Sequence, residues 1–225
     1  MSTLLGEVQY SGKSKGVTRN PEKKRIRIVS DAEYMLVFKL ASENVQRLMT
    51  LVYRTLQRPS DLLKVSSENI VTRLLNGIGI EVLSIKQSKT GATVDIVLTE
   101  DLKQALYGSS DSDCDVMSRK IITSKKQYLI LNKQGKPYTL DGFNSNFSRA
   151  LNKYRGKVEI ETGIRPKPFG IYDLKGKGAT DMYQSGIALE YIQALAGHES
   201  VTTTEIYIKS RLNKPVVSNT RVIGC

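Results

Sequence analysis

The stretch Leu195-Ala-Gly-His-Glu-Ser-Val-Thr-Thr-Thr-Glu-Ile-Tyr207 joins two predicted helices near the end of the chain. Glycine accepts the left-handed backbone that closes a helix, so Gly197 ends the first helix. The Ser/Thr-rich segment that follows caps the second helix. His198, the one histidine of the chain, lies at this junction and precedes Tyr207 by nine residues. A lone histidine is most often a helix-end or core residue, so its role depends on what surrounds it.

The last third of the chain and the segment before it are predicted to be helical. Helices are predicted over residues 173–184, 188–196 and 202–208. Upstream, apolar residues recur at helical spacing from Phe143 to Tyr154, which predicts a further helix with one buried face.

The N-terminal part shows three helix signals in sequence. Ser30-Asp-Ala-Glu33 is a capping box, in which the serine and the glutamate satisfy each other's backbone amides. A second helix begins after Ser42 and carries one apolar stripe from Val45 to Leu56. Pro59 closes that helix and starts a short new one, because proline suits the first turn of a helix.

A small β-element interrupts the helices. Residues Ile78–Ile85 and Thr93–Leu98 are rich in β-branched side chains, and Lys89-Thr-Gly91 between them supplies a turn. These features predict an antiparallel hairpin, and a further short strand is predicted over Tyr128–Leu131. The fold class is therefore mainly α with a small antiparallel β-sheet (α+β).

Composition restricts the function class. The 34 Lys and Arg residues exceed the 22 Asp and Glu residues, so the formal charge is +12, which points to a polyanionic partner. Apolar residues make up 40% of the chain, too many for a disordered basic tail. No apolar run approaches the roughly 18 residues that span a bilayer. One histidine and the two cysteines, Cys114 and Cys225, exclude a zinc cage and a disulfide framework. We expect an intracellular protein that needs no metal and no cofactor.

The chain divides into three predicted regions. Residues 1–29 read as a basic linker or the remnant of a preceding region, residues 30–210 as one domain, and residues 211–225 as a C-terminal tail. Met117–Lys136 carries six basic residues and no acidic one. This run is interpreted either as a solvated face or as a strip that binds nucleic acid. A membrane-surface role is disfavoured, because no basic amphipathic helix stands out.

Four segments, in order, resemble the motifs of tyrosine recombinases, the phage integrase family. Thr55-Leu-Gln-Arg-Pro-Ser-Asp-Leu-Leu63 resembles the segment with the first catalytic arginine, and Gln87-Ser-Lys-Thr-Gly91 resembles the hairpin turn with the catalytic lysine. Phe169-Gly-Ile-Tyr-Asp-Leu-Lys175 resembles the His-Asp-Leu-Arg box. Leu195–Tyr207 resembles the Gly-His box that ends at the nucleophilic tyrosine. The resemblance covers about residues 20–210 and implies the catalytic-domain fold of that family.

The resemblance implies a role for each matched residue. Tyr207 would attack a DNA phosphodiester and form a 3′-phosphotyrosine, so that no ATP or metal is needed. Arg58 would hold phosphate oxygens through its planar guanidinium fork. Lys89 would protonate the departing 5′ oxygen. His198 would donate to the phosphate or assist proton transfer with Tyr207.

The third motif departs from the family pattern. Tyr172 stands where the motif has histidine, and Lys175 stands where it has the second arginine. Lysine keeps the charge but loses the bidentate fork, so the enzyme is expected to be slow or impaired. Gly176 and Gly178 are expected to weaken the start of this helix by roughly 1 kcal/mol each. Lys175 is expected to point into one pocket with Arg58, Lys89 and His198, without a carboxylate partner.

Tyr172 and three further lysines are predicted to contact phosphate or DNA. The lysines are Lys177, two residues after Lys175, and Lys125 and Lys126 in the basic run.

The predicted function is site-specific recombination of double-stranded DNA at attachment-type sites, in a bacterial cell and in association with the nucleoid. The family usually carries a helical DNA-binding domain before the catalytic one, so we expect this chain to be a catalytic domain alone. The resemblance also implies a homotetramer on DNA, and we expect a monomer without DNA. Two alternatives stay open: a type IB topoisomerase-like enzyme, and an integrase relic that binds DNA without cutting it.

Overall fold

The computed structural model describes residues 27–107 and 127–208 of the chain. Lys125 and Lys126 lie outside the described residues. Within those two ranges the chain forms eight α-helices and one three-stranded antiparallel sheet. The helices are α1 (Asp31–Leu40), α2 (Glu43–Thr55), α3 (Pro59–Leu62), α4 (Glu100–Tyr107), α5 (Leu140–Thr162), α6 (Asp173–Gln184), α7 (Leu189–Ala196) and α8 (Val201–Tyr207). The strands are β1 (Ile70–Leu75), β2 (Ile78–Lys86) and β3 (Thr93–Val97). The mainly α class with a small antiparallel sheet is confirmed.

The predicted helix starts are also confirmed. The Ser30 hydroxyl accepts the Glu33 amide at 3.2 Å, and the Glu33 carboxylate accepts the Ser30 amide at 3.1 Å. Pro59 occupies the first turn of α3. The apolar face of α2 is fully buried and lies at the centre of the main hydrophobic core.

The sheet has one strand more than the two of the predicted hairpin. The hairpin of β2 and β3 is confirmed, with Val82 opposite Val97. Strand β1 pairs with the other edge of β2, from Ile70 opposite Leu83 to Leu75 opposite Ile78. Four consecutive residues of β1 are exposed, so the strand lacks the alternation that marks a half-buried strand. The turn between β1 and β2 is Asn76-Gly77, both with positive φ, which is the dipeptide most typical of tight hairpins.

The predicted short strand over Tyr128–Leu131 is wrong. This segment forms two isolated bridges, Tyr128 with Ser66 and Leu131 with Pro137. The chain after Ser66 enters a 3-10 turn, which ends the pairing after one bridge. A ladder therefore does not propagate, although the residue types suit a strand.

A second, smaller hydrophobic cluster lies beneath the C-terminal helices. Its buried members come from the end of α2, from α6 and α7, and from the residue after α8: Leu56, Ala179, Ile192, Ala196 and Ile208. Since α6, α7 and α8 carry the third and fourth sequence motifs, this cluster fixes their relative positions. None of the helices within residues 27–107 and 127–208 is both long and apolar enough to cross a membrane.

Helices α2 and α6 touch backbone to backbone at Gly178. A Cβ atom on Gly178 would lie 2.1 Å from the Tyr53 carbonyl oxygen and 2.8 Å from a methyl group of Leu56. No side chain fits there, so the glycine makes this close approach possible. Gly178 thus lowers the helix propensity of α6, as expected, but it is also needed for the close packing of α6 on α2, which the sequence did not predict.

We predict that Gly178→Ala lowers the free energy of unfolding by about 1–3 kcal/mol, because the added methyl forces α2 and α6 apart. Gly156→Ala is the matched control, since Gly156 lies within α5 and a Cβ there would meet nothing within 4 Å. That variant should gain up to about 1 kcal/mol from helix propensity. Urea denaturation measures both. Equal stabilisation by the two substitutions would contradict the close approach of α2 and α6.

Candidate active site

The fold brings four of the five predicted catalytic residues into one cluster. Arg58 precedes α3, Lys175 lies in the first turn of α6, His198 follows α7, and Tyr207 is the last residue of α8. Lys89, in the exposed turn between β2 and β3, is close enough that its charge lowers the pKa of Lys175. Motifs separated by up to about 150 residues therefore meet at one place.

The end of α2 positions Arg58. Leu56 adopts a left-handed backbone with φ of 55° and closes the helix, although it is not a glycine. This conformation costs roughly 1–2 kcal/mol and is maintained because the Leu56 side chain is fully buried. The Arg58 guanidinium donates to the Gln87 side-chain oxygen at 3.2 Å and lies 3.9 Å from Asp61.

The ammonium group of Lys175 lies inside the cluster. It donates to the Ala196 carbonyl at 3.3 Å and is 5.2 Å from the centre of the Tyr207 ring, which is cation–π distance. The residue is only 3% exposed. Burial, with the charges of Arg58 and Lys89, lowers the pKa of Lys175 to about 8, although the Asp61 carboxylate partly opposes the shift. Lys175 is thus a cation that titrates close to physiological pH, which an arginine would not do.

His198 lies between Thr204 and Tyr207. Gly197 closes α7 with φ of 63°, and the next residue turns its ring back toward α8. Nδ1 is 3.0 Å from the Thr204 hydroxyl, and the ring stacks on that of Tyr207 with centres 5.1 Å apart. Burial, then the charges of Lys175 and Arg58, lowers the pKa of His198 to about 4, so the ring is neutral at pH 7. Nε2 is buried and has no hydrogen bond within the described residues.

Tyr207 is fixed through its backbone. Ser200 caps α8 by accepting the Thr202 amide at 3.1 Å. At the other end, Ile208 is buried in the smaller hydrophobic cluster, and the Tyr207 carbonyl lies 3.2 Å from the Thr180 hydroxyl of α6, which donates at 2.7 Å to the Gly176 carbonyl. The tyrosine ring is partly exposed while its main chain is held on α6.

The expectation that the cluster lacks a carboxylate is wrong. Asp61, 4% exposed, lies beside Arg58, and one of its oxygens accepts from the backbone and hydroxyl of Ser88. The other oxygen has no hydrogen bond within the described residues. Asp61 therefore offsets part of the positive charge and joins α3 to the hairpin that carries Lys89.

The structure places Lys177 apart from this cluster. Its ammonium pairs with Asp31 and, at 2.9 Å, with Asp181, whose carboxylate also accepts the Tyr53 hydroxyl at 2.8 Å. Burial and the hydrogen bond to Asp181 raise the pKa of Tyr53. Lys177 thus links α6 to α1 and α2, and its contact with phosphate stays a prediction.

Tyr172 directly precedes α6, with 43% of its surface exposed. It shows no hydrogen bond to the cluster within the described residues.

A basic cleft of about 570 Å³ lies at the N-terminal end of α5. Lys133, from the basic run, lines it together with Arg149 and Lys153, and no carboxylate is among the described residues that form its walls. Sequence patterning did not predict this cleft, because its charges come from a loop and from one face of a helix.

Comparison with known proteins agrees with the arrangement of motifs. The model of the phage integrase family matches residues 24–214. The tyrosine recombinase XerC of Leptospira interrogans serogroup Icterohaemorrhagiae serovar copenhageni is 34% identical over 80 residues, which cover 36% of this chain and 23% of that protein.

Solved structures show the same fold at low identity. Lambda integrase, as a dimer bound to a COC′ core site, is 21% identical with a TM-score of 0.60, covering 86% of this chain and 51% of that one. The Tn1549 transposon integrase in complex with circular intermediate DNA is 17% identical with a TM-score of 0.58, covering 83% and 63%. The matched part of this chain thus covers about half of lambda integrase and under a quarter of the XerC recombinase. With its family match over most of its length, this chain belongs to the phage integrase family.

Proposed function

We propose that this chain cleaves and rejoins double-stranded DNA through a 3′-phosphotyrosine on Tyr207, as the catalytic part of a site-specific recombinase. The observation that carries the proposal is the contact of one partly exposed tyrosine ring with both His198 and Lys175, beside Arg58. A phosphodiester at this position would meet a nucleophile and several donors together.

The chemistry balances without a metal or ATP. The Tyr207 phenol oxygen bonds to phosphorus as the bond to the 5′ oxygen breaks, and the phenol proton leaves to a base or to water. Arg58 and Lys175 neutralise the non-bridging oxygens, where negative charge develops. Lys89 supplies a proton to the departing 5′ oxygen. The energy of the broken bond is kept in the phosphotyrosine, so a 5′ hydroxyl reverses the step.

The DNA partner is supported by charge and by the relatives. The net charge is +12, and the basic cleft beside α5 offers Lys133, Arg149 and Lys153 for phosphate contacts. Lambda integrase has been solved as a tetramer bound to a Holliday junction. For this chain we propose attachment-type sites, four copies on DNA and a monomer without it.

The lysine in the third motif is the basis for proposing a slow enzyme. The Lys175 ammonium reaches the pocket, but one of its hydrogen bonds goes to the Ala196 carbonyl. An ammonium also lacks the planar guanidinium with which an arginine binds two phosphate oxygens at once. The same observation favours the second candidate, a DNA-binding relic that does not cut. A topoisomerase-like activity would show as relaxation of plasmids that carry no specific site.

Replacing Tyr207 by phenylalanine should abolish a covalent protein–DNA adduct while leaving DNA binding intact, because only the phenol oxygen is removed. A nicked suicide substrate, analysed on a denaturing gel, measures the adduct. Tyr191→Phe is the matched control, since Tyr191 is 73% exposed on α7. An adduct that persists in Tyr207→Phe would overturn the nucleophile, and no adduct with the unmodified chain would favour the relic.

Lys175→Arg should raise the rate of cleavage about tenfold or more, because a bidentate contact forms in the transition state. The initial rate of adduct formation measures it. Lys175→Ala should lower that rate. If neither substitution changes cleavage, Lys175 is outside the site and the third motif is misaligned.

Anion binding at the cluster should weaken as the pH rises above about 8. Lys175 is protonated below that pKa, so the full positive charge is present there and is lost on deprotonation. Sulfate affinity, measured from the thermal shift at pH 7, 8 and 9, should fall by up to about tenfold per pH unit above pH 8. In Lys175→Arg the affinity should stay flat over this range, and an equal fall in both proteins would contradict the assignment.

A further inference from the structure

The Gln87 side chain joins the separate parts of the active-site cluster. It is fully buried at the end of the hairpin strand β2. Its oxygen accepts from Arg58 at 3.2 Å and from the Thr90 hydroxyl at 2.9 Å. Its nitrogen donates to the Gln57 side chain at 2.8 Å and to the Ala196 carbonyl at 2.9 Å. One amide thus contacts the arginine, the lysine-bearing turn and the helix before His198.

The chemistry of the neighbours fixes the orientation of this amide. A guanidinium has only donors, so the amide oxygen must face Arg58. A backbone carbonyl is only an acceptor, so the amide nitrogen must face Ala196. The Ala196 carbonyl also accepts from Lys175 at 3.3 Å, so three hydrogen bonds, two of which share the Ala196 oxygen, connect Arg58 to Lys175.

Gly197 makes room for this arrangement. A Cβ atom on Gly197 would lie 2.3 Å from Nε2 and 2.8 Å from Cδ of the Gln87 side-chain amide. The glycine therefore has two reasons to be there: its φ of 63° ends α7, and its bare Cα lets the amide reach the Ala196 carbonyl.

We infer that Gln87 is a positioning residue, which holds Arg58 and, through the Ala196 carbonyl, Lys175 in the geometry that grips one phosphate. The inference rests on the proposed function. Gln87 does not need to touch DNA, since it is buried behind the groups that do. Its hydrogen bonds hold Arg58, Lys175 and the hairpin in fixed relative positions, although the charges of Arg58 and Lys175 repel each other.

A glutamate or an apolar side chain cannot replace this amide. A glutamate loses the donors to Gln57 and Ala196 and draws Arg58 into an ion pair. A methionine has similar length but neither accepts from Arg58 nor donates to Ala196. Misplacing a catalytic group by about 1 Å can cost roughly a hundredfold in rate, so the expected defect lies in the chemical step.

The test compares Gln87→Met with Gln57→Met. Gln57 is also fully buried, and its nitrogen donates to the Thr55 and Leu195 carbonyls. Its oxygen accepts from Gln87, so Gln57→Met removes one contact of Gln87 but leaves the contacts of Gln87 with Arg58 and Ala196. Both variants should lose thermal stability. Adduct formation is measured on a nicked phosphodiester and on the same DNA with a methylphosphonate at the cleaved position. The methylphosphonate has one non-bridging oxygen in place of two and no formal negative charge before attack, so its cleavage depends much less on the two cations.

Gln87→Met should slow cleavage of the phosphodiester by roughly thirtyfold or more but change cleavage of the methylphosphonate by less than about threefold. Gln57→Met should reduce both rates by similar, smaller factors. Equal losses on the two substrates by Gln87→Met, or no loss on either, would overturn the positioning role, because a general loss of structure does not discriminate by substrate charge. If Gln87→Met does not fold, Gln87→Asn replaces it, since its shorter amide cannot reach Arg58 and Ala196 together.

A second measurement decides the inference if the unmodified chain forms no adduct, which would count against the proposed function alone. Sulfate affinity from the thermal shift should then fall about tenfold in Gln87→Met and less than about threefold in Gln57→Met. Equal affinity in Gln87→Met and the unmodified chain would overturn the positioning role.

Discussion

The close contact of α2 with α6 at Gly178 is the constraint on which the site depends. The Leu56 side chain packs beside Gly178, and the left-handed backbone at Leu56 ends α2 and directs Gln57 and Arg58 toward the hairpin. The same contact places the first turn of α6, with Lys175, beside the end of α2. Leu56 and Ala179 also share the smaller hydrophobic cluster with Ile208, so the helix that carries Tyr207 packs against the same part of α2 and α6.

Burial gives the cluster its electrostatic character. Two cations, a neutral histidine and one carboxylate are packed where water cannot fully solvate them, so the pKa values of Lys175 and His198 both fall. Within the described residues, one nitrogen of His198 and one oxygen of Asp61 are buried without a hydrogen bond, which is costly for a folded protein. Such groups are rare in folded proteins, and two of them lie in this one cluster.

Sequence patterning predicted much of the fold because helix caps and apolar stripes are local signals. The capping box at Ser30 and the hairpin turn around Lys89 lie within a few residues of the elements they define. Strand β1 escaped prediction because its exposed residues show no alternation. The family motifs brought Arg58, Lys175, His198 and Tyr207 together, but motifs do not report hydrogen bonds across the fold. Asp61 and Gln87 lie within the first and second motifs, but only the folded structure shows that both contact Arg58.

The packing of Tyr207 bears on whether the residues of one site come from one chain or from two. Its carbonyl lies 3.2 Å from the Thr180 hydroxyl of its own α6, and the next residue is buried in its own domain. The Tyr207 ring therefore contacts His198 and Lys175 of its own polypeptide. With Tyr207 as the proposed nucleophile, an assembly that keeps these contacts would build each active site from one chain, so two copies that each lack a different site residue would not complement each other.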